Sequence, residues 1–284
     1  MVCPVLAARG SPERIDSSLP SEHEPPVRGP IGAILRLGSA KEVETDLMDY
    51  KEGAFETRKF AGRRSQYHEG LAEILSLGYE EEDLVHHFPS FVGHMTLSRF
   101  LVLYDLYKRT LGVAGHIAEA GVYKGAGTLF LAKLTQIFEP ESLTLVHGFD
   151  WFKGAQLTAE EPNVMEGSCK EDHLRLMRLI EAQKLDHVVH IHNLDLRTDL
   201  ERFFEENKYM QFKLVFLDVG LYDVVMQCLE HFWPRLTSGG VMIFDQFNHE
   251  LAPGETRAIK EFMPDAKIRT LPFGWMPTAY VVKP

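Results

Sequence analysis

The sequence predicts an open α/β fold in which helices cover both faces of a mostly parallel sheet. Three features lead to this prediction. Short apolar segments alternate with amphipathic ones, a glycine-rich turn follows the first apolar segment, and several later segments end in an acidic residue. Such alternation is typical of right-handed βαβ units, which place parallel strands between two layers of helices.

Composition narrows the class of protein. The chain has 284 residues, of which 45% are hydrophobic, enough for a sizeable core. Its net charge of −11 disfavours nucleic acid as the main partner, because phosphate binding needs a basic face. It has no apolar run of about 18 residues and no secretory-type start, so we expect no membrane span. Three widely spaced cysteines, Cys3, Cys169 and Cys228, indicate reduced thiols and a cytoplasmic location.

Three parts are predicted along the chain. Residues 1–30 are rich in proline and serine, a composition that cannot bury a core, and we expect a flexible arm. Residues 31–94 carry short amphipathic patterns and are expected to form helices that cover a site or mediate dimerisation. Residues 95–284 form the main domain.

The main domain is expected to open with a helix over His94–Val113, with Thr96 as its N-cap. Apolar residues at helical spacing predict its buried face: Leu97, Phe100, Leu101, Tyr104, Tyr107 and Leu111. Five strands follow, at Ile117–Gly121, Leu143–Phe149, Val188–His192, Leu214–Asp218 and Val241–Asp245. Helices separate them, at Gly127–Phe138, Cys169–Lys184, Thr198–Asn207, Leu221–Leu236 and Gly254–Phe262. The last two strand-like runs, Ala266–Leu271 and Thr278–Val282, have no helix between them, which predicts a hairpin and an antiparallel last strand.

The glycine-rich turn is the strongest indication of a ligand. Gly121, Gly125 and Gly127 lie between the first strand and its helix, where glycine allows close approach of the backbone and the helix start offers free N–H groups. The spacing alone also fits an ordinary tight turn. An acid at the end of the second strand, Asp150, can bind the hydroxyls of a ribose. Together they predict a nucleoside cofactor, with the neighbouring Trp151 as a candidate to flank its base.

Acidic residues recur at the carboxyl ends of the strands. Glu119 lies near the first end, Asp150 at the second, Asn193 and Asp195 after the third, Asp218 at the fourth and Asp245 at the fifth. Carboxylates gathered at one edge repel each other, so a shared ligand or cation is the simplest explanation. Asn193 and Asp195 are also compatible with ordinary loop chemistry.

Asp218 and Asp245 predict a metal site. Neighbouring parallel strands lie about 4.8 Å apart, so side chains at their ends can converge, and carboxylate oxygens suit Mg²⁺. Gln246 is a candidate third ligand and His249 a candidate proton acceptor. The alternative is that each aspartate caps the helix or turn that follows.

The motifs EAGVYKGAG, GFDWFKG, LDVGLYD and LTSGGVMIFDQ occur in this order between about His94 and Lys283. In this respect the chain resembles class I S-adenosylmethionine-dependent methyltransferases, and more narrowly the macrocin O-methyltransferase family, which methylates deoxysugar hydroxyls of antibiotics. The resemblance implies a Rossmann-like, seven-stranded sheet whose antiparallel last strand lies between the fifth and sixth.

The resemblance also implies roles for individual residues. Glu119, Gly121 and the glycine turn would hold the methionine part of S-adenosylmethionine, and Asp150 its ribose. Further candidates for contact with the cofactor are Tyr123, Gly125, Thr128, Trp151, Asn193, Asp195 and Asp218. Asp218 and Asp245 would bind Mg²⁺, and Asp218 could receive the proton.

The sequence departs from the family at two places. Members usually carry two acids together after the fifth strand, whereas here the pair is Asp245–Gln246, which removes one charge from the metal site. Val219–Gly220 replaces the usual Gly-Asp. We therefore expect metal binding that is weaker or absent.

The predicted function is methyl transfer from S-adenosylmethionine to a hydroxyl of a small natural product, such as a sugar or glycosylated metabolite, by a homodimer. Alternatives are transfer to a nitrogen, a phenol or a catechol, the different chemistry of the cephalosporin-hydroxylase-like relatives, or a non-catalytic cofactor-binding partner protein.

Overall fold

The computed structural model describes residues 63–156, 166–250 and 252–284. The predicted arm, 1–30, and the first half of the predicted covering segment, 31–94, lie outside the described residues. Within the described part, no helix is long and apolar enough to cross a bilayer.

Eight α-helices and six strands are present in the described ranges. The helices are α1 Arg63–Ser76, α2 Glu81–His86, α3 His94–Arg109, α4 Ala126–Phe138, α5 His173–Ala182, α6 Leu200–Glu206, α7 Tyr222–Phe232 and α8 Pro253–Phe262. The strands are β1 His116–Ala120, β2 Val146–Asp150, β3 Val189–Asn193, β4 Phe212–Leu217, β5 Leu236–Phe244 and β6 Ala279–Val282.

The strands form one sheet in the order β3-β2-β1-β4-β5-β6. All neighbours are parallel except β5 and β6, which are antiparallel. The predicted mostly parallel sheet with an antiparallel last strand is therefore confirmed. The strand order reverses between β1 and β4, because β2 and β3 lie on one side of β1 and β4 and β5 lie on the other. This reversal leaves a crevice at the carboxyl ends of β1 and β4, which is where ligands bind in open α/β sheets.

Strand β4 shows why both faces of the sheet are covered. All six of its residues are buried, and they alternate between two cores. Val215 and Leu217 belong to the core that α6, α7 and α8 cover, whereas Leu214 and Phe216 belong to the core covered by α3, α4 and α5. A central strand buried on both sides needs a continuous apolar run, and FKLVFL supplies one apart from Lys213.

The first helix of the main domain differs from its prediction. Its N-cap is Gly93 and not Thr96, and its buried face is formed by residues such as Leu103 and Leu106. Two residues of the predicted face, Leu101 and Leu111, are exposed. Apolar residues are consecutive from Phe100 to Tyr104, so two adjacent faces satisfy helical spacing, and packing on the sheet selects between them.

Two predicted helix boundaries were wrong. Helix α5 begins at His173 and not near Cys169, because Cys169 has a positive φ of 59° and the side chain of Asp172 caps the helix by accepting the N–H of Leu174. Helix α7 ends before the short 3₁₀ turn Trp233–Arg235, and Leu236 already starts β5. Proline in that turn has no N–H with which to continue a helix.

The described sheet has six strands and not seven, because Ala266–Leu271 does not form a strand. The N–H of Ile268 donates to the carbonyl oxygen of Ala266 (3.0 Å), which forms a local turn. Arg269 makes an isolated antiparallel bridge to Tyr280. Tyr280 also pairs with Ile243 of β5, so the last strand has a full ladder only with the fifth strand, and a single bridge stands where the resemblance implies a sixth.

Candidate active site

The carboxyl ends of the parallel strands meet at one edge of the sheet. Ala120 of β1 pairs with Phe149 of β2 and Leu217 of β4, and Leu217 pairs in turn with Phe244 of β5. The next residue along each strand or just beyond it is Gly121, Asp150, Asp218 or Asp245. The edge therefore brings the predicted glycine turn and three predicted carboxylates together.

The glycine turn lies directly against the end of β4. Gly121 has a φ of 91°, and a Cβ at this position would fall well inside 3.0 Å of the carbonyl oxygen of Asp218. The N–H of Asp218 donates to the carbonyl oxygen of Ala120 (2.9 Å), which closes the contact from the other side. Gly125, with a φ of 83°, is the left-handed N-cap of α4. Glycine is required at both places by conformation or space.

Glu119 is buried beneath the start of α4. Its carboxylate accepts a hydrogen bond from the hydroxyl of Thr128, and Gly127 leaves it the room that a Cβ would fill. Burial raises the pKa of Glu119 to about 8, and the negative charge of Asp218 adds to this effect. The hydroxyl and the backbone N–H of Thr128 act in the opposite direction, because they stabilise the charged form.

Asp150 fastens the glycine turn to the end of β2. One carboxylate oxygen accepts the N–H of Tyr123 (2.9 Å), and the other accepts the N–H of Phe152 (2.7 Å). Burial raises the pKa of Asp150, whereas these backbone N–H groups act in the opposite direction. The carboxylate is thereby fixed at the edge where a ribose is expected.

The remaining predicted cofactor contacts have local roles. Asp195 accepts the N–H of Arg197 (2.9 Å) and shapes the turn after β3, at whose end Asn193 lies exposed. Trp151 is half-buried, and its Nε1–H donates to the carbonyl oxygen of Gly154 (2.8 Å). Contact of these residues with a cofactor stays a prediction.

Arg99 of α3 bridges the two aspartates that were predicted to bind metal. Its Nη2 lies 2.5 Å from Oδ2 of Asp218, and its Nη1 lies 2.5 Å from Oδ1 of Asp245. The Asp245 side chain is 2% exposed, and that of Asp218 is 28% exposed. The shared cation expected at this edge is thus present as a side chain of the protein.

The electrostatics of this cluster follow from burial. Burial raises the pKa of Asp218 to about 8, and the charge of Asp245 adds to this, whereas Arg99 opposes it. For Arg99, burial acts to lower the pKa, but the charges of Asp245 and Asp218 outweigh it and raise the pKa. The guanidinium therefore stays charged at every ordinary pH.

Gln246 and Glu255 complete the surroundings of Asp245. The N–H of Gln246 donates to Oε1 of Glu255 (2.7 Å), and its side-chain oxygen lies against Gly220, where a Cβ has no room. Glu255 is fully buried, and burial together with the charge of Asp245 raises its pKa.

These residues do not fit a magnesium ion as they are arranged. One oxygen of each aspartate is bonded to the guanidinium of Arg99, which brings its own positive charge to the site, and Gln246 turns its oxygen towards Gly220. In the described residues, no group of three or more His, Cys, Asp or Glu side chains is placed to hold a metal ion.

A cavity of about 540 Å³ opens beside the end of β5. Its lining includes the predicted base His249 together with Phe247, Arg269, Trp275 and Thr278. The N–H of Thr278 donates to the carbonyl oxygen of Asp245 (3.1 Å), so the cavity adjoins the carboxylate edge. Mixed aromatic and polar walls of this kind suit a small polar molecule.

A family model described as a methyltransferase domain matches residues 118–247, which span β1 to the loop after β5. The crystal structure of CalS11, a calicheamicin methyltransferase, superposes with a TM-score of 0.70 at 26% identity, covering 78% of this chain and 93% of that one. This chain is an S-adenosylmethionine-dependent methyltransferase. No curated protein matches it detectably in sequence.

Two further solved structures resemble this methyltransferase. The apo structure of CalS11, described as a TDP-rhamnose 3'-O-methyltransferase, has a TM-score of 0.65 at 26% identity and covers 78% of this chain and 95% of that one. The O-methyltransferase NovP has a TM-score of 0.57 at 16% identity, covering 66% and 79% of the two chains, a likeness of fold.

Sequence reasoning missed two residues of the methyltransferase site. Glu255 follows Pro253 at the start of α8 and gave no signal beyond an ordinary acid in a first helical turn. Arg99 did give a signal, because it lies one helical turn before Leu103 and two before Leu106 on an apolar helix. A charge on the buried stripe indicates a buried partner.

Proposed function

We propose that this methyltransferase acts on a hydroxyl oxygen of a small natural product, a sugar or a glycosylated metabolite. The observation that supports the proposal is the cavity with aromatic and polar walls next to the carboxylate edge, because an acceptor bound there would lie beside the predicted cofactor site. The similarity to CalS11, which is described as a TDP-rhamnose 3'-O-methyltransferase, supports the same class of acceptor.

In this proposal, some residues of the site bind the cofactor and others position and deprotonate the acceptor. Glu119 and the glycine turn hold the amino-acid part of S-adenosylmethionine, and Asp150 holds the ribose. When bound, the cofactor supplies an electrophilic methyl group on a sulfonium. The protein aligns the acceptor with it and removes the hydroxyl proton.

Asp218 is the proposed proton acceptor, because its backbone carbonyl lies against the glycine turn at the end of β4 and its carboxylate is partly exposed. His249 lines the acceptor cavity and is the second candidate. The predicted magnesium is left out of this mechanism, because Arg99 holds both aspartates.

Two substitutions separate cofactor binding from chemistry. We expect Asp150→Ala to weaken S-adenosylmethionine binding roughly tenfold to a hundredfold, since it removes a charged hydrogen-bond acceptor from the ribose site. Asp218→Asn should keep binding and lower turnover on the order of 10²- to 10⁴-fold, because an amide cannot accept the proton. Calorimetry measures the first effect, and release of labelled methyl to a panel of nucleotide-linked deoxysugars and glycosides measures the second.

The matched control is Asp172→Ala, which removes an exposed aspartate whose side chain caps α5. It should leave both measurements unchanged. Unaltered cofactor affinity in Asp150→Ala would refute the ribose assignment. A wild-type protein that binds the cofactor but methylates no hydroxyl in the panel would refute the proposed activity in favour of a nitrogen acceptor or a non-catalytic role.

A further inference from the structure

Arg99 is held in a fixed position between the two aspartates. Its helix is anchored by buried residues such as Leu103 and Tyr107, and the guanidinium lies 5.2 Å from the centre of the Phe216 ring. Three quarters of the side chain is removed from solvent, since 24% remains exposed. The ion pairs of Arg99 are therefore largely buried and held by packing, unlike an exposed ion pair on the surface.

Arg99 competes with a metal ion for one oxygen of each carboxylate. The fork of a guanidinium has two terminal nitrogens, and here each one donates to a different carboxylate at 2.5 Å, to Oδ1 of Asp245 and to Oδ2 of Asp218. A magnesium ion that bridged the two aspartates through these oxygens, at about 2.0–2.1 Å, would have to displace Arg99 from both of them.

The number of negative charges at the carboxyl ends of the strands suits a cation of charge +1, such as the guanidinium of Arg99. The resemblance implies two adjacent acids after the fifth strand, but this chain has Asp245 followed by the neutral Gln246. The amide of Gln246 is also turned towards Gly220. One negative charge fewer suits a guanidinium better than an ion of charge +2, which favours sites with more anionic ligands.

We propose that Arg99 takes the place of the divalent cation, so that methyl transfer by this protein needs no metal and Arg99 positions the carboxylate of Asp218. The proposal has two halves. The binding half, that Arg99 occupies the cation site, rests on the ion pair alone. The catalytic half, that methyl transfer needs no metal, rests also on the proposed function. Arg99 acts through Asp218 and is therefore a positioning residue. Since a guanidinium cannot activate a hydroxyl as a Lewis acid does, the reaction relies on alignment and on the base.

Binding of Mn²⁺, followed by electron paramagnetic resonance, tests the binding half without any turnover. We expect the wild type to bind no Mn²⁺ at concentrations up to 1 mM, on the order of the weak end of protein sites. Arg99→Ala frees the two carboxylates and should bind Mn²⁺ at least about tenfold more tightly than the wild type, since loss of about 1.4 kcal/mol of competition by the guanidinium is a tenfold change in affinity. Arg109→Ala, which removes an exposed arginine at the other end of the same helix, is the control and should gain none.

Turnover tests the catalytic half. A chelator should leave the wild-type rate within about twofold, whereas Arg99→Ala should lose on the order of 10²-fold and recover part of it when Mg²⁺ is added. Rescue by metal is a readout that loss of structure alone would not give. Because Arg99→Ala leaves buried carboxylates unpaired, Arg99→Lys serves as a second variant that keeps the charge, and it should retain more activity than Arg99→Ala without binding Mn²⁺.

Tight Mn²⁺ binding by the wild type, or loss of its turnover in chelator, would overturn the proposal. If the wild type transfers no methyl to any acceptor, the proposed function fails, but the comparison of Mn²⁺ binding between the wild type and Arg99→Ala still decides whether Arg99 holds the cation site.

Discussion

At the residue scale, Gly121→Ala tests how closely the glycine turn must approach β4, because it adds one Cβ at the contact. We expect Gly121→Ala to destabilise the protein more than backbone strain explains, because the new Cβ meets the carbonyl oxygen of Asp218. Urea unfolding measures the loss of stability, and calorimetry should show weaker cofactor binding as the turn is displaced.

Gly112 provides the matched control for this substitution. Its φ of 85° is close to the 91° of Gly121, but no described heavy atom lies within 4 Å of a Cβ built there. Gly112→Ala should therefore cost only the strain of a left-handed residue, about 1–2 kcal/mol. Equal losses in the two variants would show that the contact with Asp218 is unimportant.

At the residue scale, the sequence predicted the acids of the strand ends but not the cation between them. Asp150, Asp218 and Asp245 each end an apolar strand, so their edge follows from strand direction alone. Arg99 comes from a helix that precedes the sheet, and its contact depends on which face of α3 packs inward. The predicted buried face of α3 was rotated by about one residue from the observed one, so Arg99 was not expected to point towards the sheet.

At the scale of elements, a buried ion pair joins three of them away from the site. Nζ of Lys213 in β4 lies 2.5 Å from Oε2 of Glu139, which directly follows α4, and the hydroxyl of Tyr107 in α3 donates to the same oxygen (2.5 Å). The Lys213 side chain is completely buried, whereas Glu139 is 15% exposed. The ammonium thus depends on one carboxylate for its charge balance.

We expect Glu139→Ala to lower the free energy of unfolding by about 3–5 kcal/mol, because it leaves a buried charge without its partner. Glu141→Ala, two residues along in an exposed position, should change it little. The double variant Glu139→Leu/Lys213→Met should recover most of the loss, since an apolar pair of similar size needs no compensation. Urea unfolding of the single and double variants measures this coupling, and additive losses would contradict it.

The boundaries of elements were less predictable than their order. The order of strands and helices followed from alternation, whereas the start of α5 depends on a capping aspartate and the end of α7 on a proline turn. The expected strand at Ala266–Leu271 was lost to a turn of its own backbone. Local hydrogen bonds of this kind compete with regular structure and leave little trace in apolar periodicity.

At the scale of the whole molecule, a stack of histidines makes stability depend on pH. His147 of β2 lies 3.0 Å from His192 of β3, between Nδ1 and Nε2, and its ring stacks on those of His190 and His192. His116 of β1 packs edge-on against His147. Burial lowers the pKa of His147 from 6.5 to about 3 and that of His192 to about 4, and neighbouring histidines add to both shifts.

The sign of the effect follows from proton binding. Between pH 3 and pH 6.5 the unfolded chain binds a proton at His147 and the folded protein does not, so stability falls as the pH falls through this range. For His147 alone the loss from pH 7 to pH 5 is about 2 kcal/mol. Thermal or urea unfolding across this range measures it.

His147→Leu should flatten the acid side of the stability profile, whereas His86→Leu, at an exposed position on α2, should leave it unchanged. A profile that is equally steep in His147→Leu and in the wild type would assign the acid sensitivity to other groups.

Helix α3 is fastened at both of its ends. Arg99 holds one end to the carboxyl edge of the sheet, and Tyr107 holds the other to the buried pair of Glu139 and Lys213. A fragment limited to the matched residues 118–247 would lack α3. Asp218, Asp245 and the apolar residues of the sheet that α3 covers would then be exposed to water. A shortened chain that keeps α3 and β6 in place must therefore include Gly93 to Val282, well outside the limits that the methyltransferase-domain match suggests.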